Sequence, residues 1–73
     1  MLRDIPAEMV GTVIKVVAKP GDVLAEGAMV VILESMKMEI PVLTEYAGTV
    51  VELSVGAGDH VQEGAVLAKI EVE

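Results

Sequence analysis

An internal repeat constrains this chain more than any other feature. Gly48-Thr49-Val50 echoes Gly11-Thr12-Val13, Gly58-Asp59 echoes Gly21-Asp22, Glu63-Gly64-Ala65 echoes Glu26-Gly27-Ala28, and Glu71 echoes Glu34. Every pair is 37 residues apart, and 9 of the 24 aligned positions from Gly11 to Glu34 are identical. Single Gly or Val matches arise by chance, but three separate blocks holding one offset do not. Each half is too short to bury an apolar face of its own. The pattern therefore predicts two similar units, residues 11–34 and 48–71, clasped about a pseudo-two-fold axis within a single domain spanning residues 1–73.

The local signals are those of short strands and tight turns. Gly11 to Val17 is β-branched and strand-like. Its alternation is broken, because Val13, Ile14, Val16 and Val17 are all apolar; a two-sheet fold burying parts of both faces would accommodate this. Lys19-Pro20-Gly21-Asp22 reads as a type II turn, with Pro20 fixing φ and Gly21 free to take φ > 0. Val23-Leu24 has room only for a brief strand, and Ala25-Glu26-Gly27 turns again. Ala28 to Leu33 is the strongest strand in the chain. Pro41, lacking an N–H, belongs on an edge or irregular position. Residues 1–8 read as a frayed lead-in or a short edge strand. No helix is expected: the Val-rich composition and Gly11 oppose one over Ala7 to Ile14.

The middle of the chain is chemically distinctive. Met29 to Leu33 leads into the polar hexapeptide Glu34-Ser35-Met36-Lys37-Met38-Glu39, and Ile40 to Leu43 leads away. Two strand-like runs joined in this way predict a β-hairpin with Lys37 at its tip. No Gly or Pro marks the turn. A lysine on a turn is ordinarily a solvated surface residue. Flexible apolar neighbours on both sides are unusual there and mark a surface that a partner recognises. The structural alternative is that Met36 and Met38 fold back over the end of the core. Lys37 also lies on the link between the repeats, and the equivalent end of the second repeat is the C-terminus, near Val72-Glu73. Two-fold symmetry then places the termini opposite the lysine tip.

Composition narrows the function classes. The 73 residues carry 12 acids against 5 bases, a formal net charge of −7, which opposes nucleic acid or an anionic membrane as partner. There is one Tyr, no Phe or Trp, and no cysteine, so the core must be aliphatic and neither disulfides nor thiolate metal sites support it. No apolar stretch suffices for a membrane helix, and Met1-Leu2-Arg3-Asp4 has no signal-peptide core after it. A cytoplasmic monomer is the expectation. Glu34 and Glu39 lack an accompanying nucleophile, metal set or third catalytic group, so they do not read as an acid/base pair. His60, the only histidine, reads as part of a surface turn rather than a metal ligand. The glycines form no phosphate-binding motif and read instead as turn and close-approach positions. Gly56, whose repeat counterpart is Lys19, need not be glycine.

Glu34-Ser35-Met36-Lys37-Met38 resembles the attachment motif of biotinyl domains, the carrier modules of biotin-dependent carboxylases. The resemblance runs over about residues 9–71. It implies an all-β fold, a flattened β-barrel or sandwich of two four-stranded antiparallel sheets with pseudo-two-fold symmetry. It implies that Lys37 carries covalent biotin and that Glu34, Ser35, Met36, Met38 and Glu39 are recognition flanks. Biotin protein ligase would acylate Lys37 from biotinyl-adenylate. A biotin carboxylase and a carboxyltransferase would then share the tethered group, while the carrier itself catalyses nothing. Lipoyl domains, the sister family, usually have Asp-Lys-Ala at this tip, and the chain departs from that pattern on both sides. Many biotinyl domains open with Ala-Pro-Met-Pro-Gly; here Ala7-Glu8-Met9-Val10-Gly11 lacks both prolines, which leaves the opening segment free to pair more regularly. The protruding loop of some carboxylase carriers has no room in residues 19–28. The start of the chain and the lack of an Ala/Pro-rich linker fit a stand-alone carrier, with an excised domain of a larger subunit as the alternative. A lipoyl carrier, and an interaction module with an unmodified lysine, are the competing functions.

Overall fold

The computed structural model describes residues 1–72. Glu73, assigned with the single domain and the end of the second repeat, lies outside the described residues. Eight strands follow in order: β1 (Leu2–Pro6), β2 (Gly11–Val16), β3 (Val23–Leu24), β4 (Met29–Ser35), β5 (Met38–Leu43), β6 (Gly48–Leu53), β7 (His60–Val61) and β8 (Val66–Val72). They form two four-stranded antiparallel sheets, ordered β1-β8-β6-β3 and β5-β4-β2-β7. We call these the terminal sheet and the lysine sheet. The fold class is the one expected from the resemblance.

The offset of 37 recurs in the hydrogen-bonding register. Leu2 pairs with Glu71 as Glu39 pairs with Glu34, and Ile5 pairs with Ala68 as Val42 pairs with Val31. The repeat thus extends N-terminally beyond Gly11, relating β1 to β5. The halves are interlocked: β1 and β3 of the first half flank β8 and β6 in the terminal sheet, and β5 and β7 of the second flank β4 and β2 in the lysine sheet. Reciprocal main-chain bonds tie the exchange. Gly21 N–H donates to the Val50 carbonyl at 2.7 Å and Val50 N–H to the Asp22 carbonyl at 2.9 Å, while Gly58 N–H donates to Val13 at 2.7 Å and Val13 N–H to Asp59 at 2.8 Å.

Turn chemistry explains why the chain reverses where it does. Asp22 N–H returns to the Lys19 carbonyl at 3.0 Å with Gly21 at φ 94°, the type II turn read from Pro20-Gly21. The Asp22 carboxylate also accepts from Lys19 N–H at 2.9 Å, and Asp59 accepts from Gly56 N–H at the same distance. Asp at this position therefore closes both turns, whichever residue begins them. The segment 7–10 is not strand but a bend between β1 and β2. The missing prolines give no more regular pairing, because Ala7 is committed to the other half, its N–H donating to the Ala65 carbonyl and its carbonyl accepting from Gly64 N–H, both at 2.8 Å.

The core consists of aliphatic side chains between the sheets, among them Val13, Val31 and Leu33 from one and Val50, Ala68 and Ile70 from the other. Four extra residues interrupt the ladders, Ile14, Val30, Val51 and Leu67, again in pairs at the repeat offset. These β-bulges account for the irregular hydrophobic patterns. The broken alternation of β2 does not reflect burial of both faces: Ile14 is the extra residue and is 38% exposed, which puts Val13 and Val16 inward and Lys15 outward. In β4 the bulge instead lets both Val30 and Val31 be buried. Thr44, the one buried polar side chain among the described residues, donates to the Tyr46 carbonyl at 2.8 Å and accepts from Tyr46 N–H at 3.1 Å.

Close packing separates the required glycines from the dispensable one. A Cβ on Gly48 would overlap the Glu71 carbonyl, and one on Gly11 would come to 2.9 Å of the Glu34 carbonyl. Gly56 has open space around its Cβ direction and no positive φ. Gly48→Ala is expected to cost about 2–3 kcal/mol as an overpacked backbone contact. Gly56→Ala should be neutral or stabilise by up to about 1 kcal/mol through the unfolded state. Urea denaturation of both variants checks the contrast.

Candidate functional site

The β4–β5 hairpin builds the site. Its last cross-strand pair is Ser35 with Met38, leaving Met36 and Lys37 as a two-residue loop. Both have positive φ, 53° and 66°, the only non-glycine residues among those described that do. Positive φ at both central residues is the type I′ pattern, whose twist matches the flanking strands and which normally selects Asn-Gly. Here Met-Lys occupies it. Left-handed backbone costs a residue with a Cβ roughly 1–2 kcal/mol, so the tip is held against local preference by the pairing beneath it. Sequence reading located the turn from polarity and symmetry but missed this strain, because the usual glycine signal is absent.

Lys37 is exposed, and no ion pair holds its ammonium group among the described residues. Met36 is 90% exposed and Met38 59% exposed. They do not fold back over the core; the ladder that reaches Ser35–Met38 turns both outward from the end of the sheet. The tip therefore presents one primary amine between two bare thioethers. The other lysines are differently placed: Lys15 within β2, Lys69 half-buried within β8, and Lys19 in the first type II turn.

Glu34 and Glu39 are directly paired one step below the tip, and both are exposed. Like charges directly opposite destabilise a strand pair. Neither is in an ion pair among the described residues, where the sole pair joins the Met1 amine to Glu71 at 3.2 Å. The row continues across the sheet, since Glu34 also pairs with Thr12 and Thr12 with His60. The Thr12 hydroxyl and His60 Nδ1 lie 2.9 Å apart. His60 thus sits in strand β7 rather than in a turn, and β-pairing brings it into the row below Lys37. Its distance in sequence from the hexapeptide hid this neighbourhood. Among the described residues no three His, Cys, Asp or Glu side chains are grouped to hold a metal ion.

Comparison with known proteins gives a consistent picture. The family profile described as "Biotin-requiring enzyme", for biotin/lipoyl attachment, matches residues 3–70. The biotinylated protein TB7.3 of Mycobacterium tuberculosis is 56% identical over 43 residues, which is 59% of this chain and 61% of that protein. The matched stretch is thus about three fifths of the curated relative's length. Among solved structures, the urea carboxylase of Kluyveromyces lactis aligns with a TM-score of 0.91 and 32% identity over 97% of this chain and 6% of its own. A single-chain, multi-domain long-chain acyl-CoA carboxylase aligns with a TM-score of 0.92 and 30% identity over 99% of this chain and 7% of its own.

The strained turn generates a prediction about stability. Lys37→Gly should relieve one left-handed residue and stabilise the fold by about 1 kcal/mol, raising Tm by roughly 4–8 °C for a domain this small. Lys37→Arg keeps the strain and should change stability by no more than about 0.5 kcal/mol. Thermal melts followed by circular dichroism distinguish the two.

Proposed function

The chain belongs to the biotin/lipoyl attachment family, and from that premise we propose that it is a biotin carrier in which Lys37 is the residue acylated by biotin protein ligase. Members of this family are carrier domains rather than catalysts. The observation that carries the specific reading is the tip itself: one exposed amine on a two-residue turn, between exposed Met36 and Met38.

Attachment asks little of the carrier beyond display. The Nζ atom must lose a proton and reach an activated carboxyl carbon inside another enzyme. The nitrogen–carbon amide bond then forms, the bond from that carbon to the adenylate oxygen breaks, and AMP leaves. A turn projecting beyond its sheet can enter such a pocket; a lysine in the middle of a strand cannot. The reaction removes one ammonium, taking the formal net charge from −7 to −8. These residues fit the group: nothing among the described residues obstructs Lys37, and Met36, Met38, Glu34, Ser35 and Glu39 surround it as recognition flanks. When attached, biotin supplies a ring able to carry a carboxyl group. This chain holds that ring on an arm that biotin carboxylase and carboxyltransferase sites can share. Tethering raises the effective concentration at both sites without release to solvent. A monomer in the cytoplasm, with the tip unobstructed, suits this role. The similarity to domains of two carboxylases supports the partner classes.

A lipoyl carrier remains the competing reading because it shares the fold. Met36 and Met38 favour biotin. Intact mass after co-expression with a biotin ligase or a lipoyl ligase separates them, and peptide mapping places the modification. We expect a single biotinyl increment on Lys37 and none on Lys37→Arg, whose guanidinium remains protonated and unreactive. Met36→Asp with Met38→Ala should shift labelling toward the lipoyl ligase, because selectivity resides in the flanks. Biotin on Lys15, Lys19 or Lys69, or undiminished labelling of Lys37→Arg, would overturn the assignment.

A further inference from the structure

The pseudo-symmetry supplies an internal control for reading the surface. Each outward-facing row of the lysine sheet has a counterpart on the terminal sheet built on the same backbone register. Below the Glu34–Glu39 row, the lysine sheet presents Lys15, Ile32 and Pro41, each directly paired with the next. The counterpart row is Glu52, Lys69 and Asp4, charged throughout. The next row is apolar on both sheets, Val66 pairing with Pro6 on the terminal sheet as Met29 does with Leu43 here. Met29 pairs with Leu43, which is 49% exposed, and Val17 beside them has Ser54 as its counterpart. Directly paired residues share a sheet face, so Ile32, Pro41, Met29 and Leu43 form an apolar strip on the outside of the sheet that carries Lys37. The fold does not require the row nearer the tip, since the terminal sheet has Lys69 and Asp4 where the lysine sheet has Ile32 and Pro41.

We propose that this strip is a docking surface for the biotin ligase that acts on Lys37; the inference rests on the carrier reading above. Reach and chemistry identify the occupant. Before modification the arm is only a lysine side chain, so the ligase must close tightly on the hairpin; the longer biotinylated arm lets other enzymes stand farther off. Ile32 and Pro41 lie three residues below the Ser35–Met38 pair, about 10 Å at strand rise. A standard interface of about 800 Å² per partner has a radius of about 16 Å, so one centred near the tip covers the strip. The two carboxylates between tip and strip, unpaired among the described residues, ask for a cation. The complementary ligase face therefore sets a guanidinium or ammonium beside an apolar ridge.

The repeat also supplies the test. Ile32→Lys with Pro41→Asp transplants onto the lysine sheet the residues that the terminal sheet already bears at those positions, leaving the hexapeptide intact. In steady-state biotinylation of the full chain by a biotin ligase, this variant should show KM raised about tenfold, the loss of roughly two apolar contacts, with kcat within about twofold. Lys69→Ile on the terminal sheet should leave both constants unchanged. Pro41→Asp alone, at an exposed edge position, should raise KM about threefold and decides the matter if the double variant does not fold. A wild-type KM in a folded double variant, or in the single variant, overturns the strip while leaving Lys37 as the labelled residue. A wild-type dimer in sedimentation velocity that the double variant converts to monomer overturns it in favour of self-association. Absence of any label on wild-type Lys37 overturns both this inference and the carrier reading.

Discussion

The reciprocal exchange of main-chain hydrogen bonds between the two halves holds this molecule together. Gly21 and Asp22 clamp Val50 from one side, and Gly58 and Asp59 clamp Val13 from the other. Val13 and Val50 are buried at the centres of β2 and β6. Each clamp consequently fixes a core side chain and a crossing strand together. Neither half could form its sheet alone, because each sheet takes both outer strands, β1 and β3 or β5 and β7, from the other half. An aliphatic core with one tyrosine and no disulfide is enough because the connectivity leaves no half free to unfold independently.

Much of this architecture is legible in the sequence for a definite reason. The repeat carries turn chemistry, and turn chemistry is local. Pro20-Gly21-Asp22 and Gly58-Asp59 announce themselves because φ > 0 needs glycine and an Asp carboxylate can close the turn. The edge position of Pro41 follows equally from its missing donor. What stays hidden depends on register. Nothing in Val13-Ile14-Lys15-Val16 says that Ile14 is the extra residue of a bulge, because the ladder that defines a bulge belongs to a distant strand. The same holds for the extension of the repeat to β1 and β5. Arg3 pairs with Ile70 as Ile40 pairs with Leu33, but the side chains at these positions have diverged too far to align by identity.

The candidate site divides along the same line. Lys37 and its flanks are contiguous in sequence and readable as a hexapeptide. The left-handed backbone at Met36 and Lys37 is not readable, since neither residue prefers it. Nor is the neighbourhood of Thr12 and His60, which only pairing brings beside Glu34. Motif reading therefore locates the proposed acceptor lysine, while the surface around it depends on strands that lie far away along the chain.

The corner of the terminal sheet shows what the lysine tip would be without its turn. Met1 corresponds to Met38 and Val72 to Ser35, and the same pairing persists there: Val72 N–H donates to the Met1 carbonyl at 2.8 Å, and the Met1 amine donates to the Val72 carbonyl at 2.6 Å. Glu71, the counterpart of Glu34, accepts from that amine. The framework thus forms the last pair of the ladder at this corner with no left-handed turn among the described residues and with a cation beside its glutamate. At the lysine corner the same framework carries two strained residues, two opposed carboxylates and two exposed methionines. Each of these features is unfavourable to folding on its own. The register does not demand the opposed carboxylates, since Leu2 stands opposite Glu71 in the equivalent pair, whereas the left-handed backbone is what a two-residue connection requires. The concentration of these features around Lys37 is what the proposed role asks for, the display of one amine above a rigid sheet to another protein.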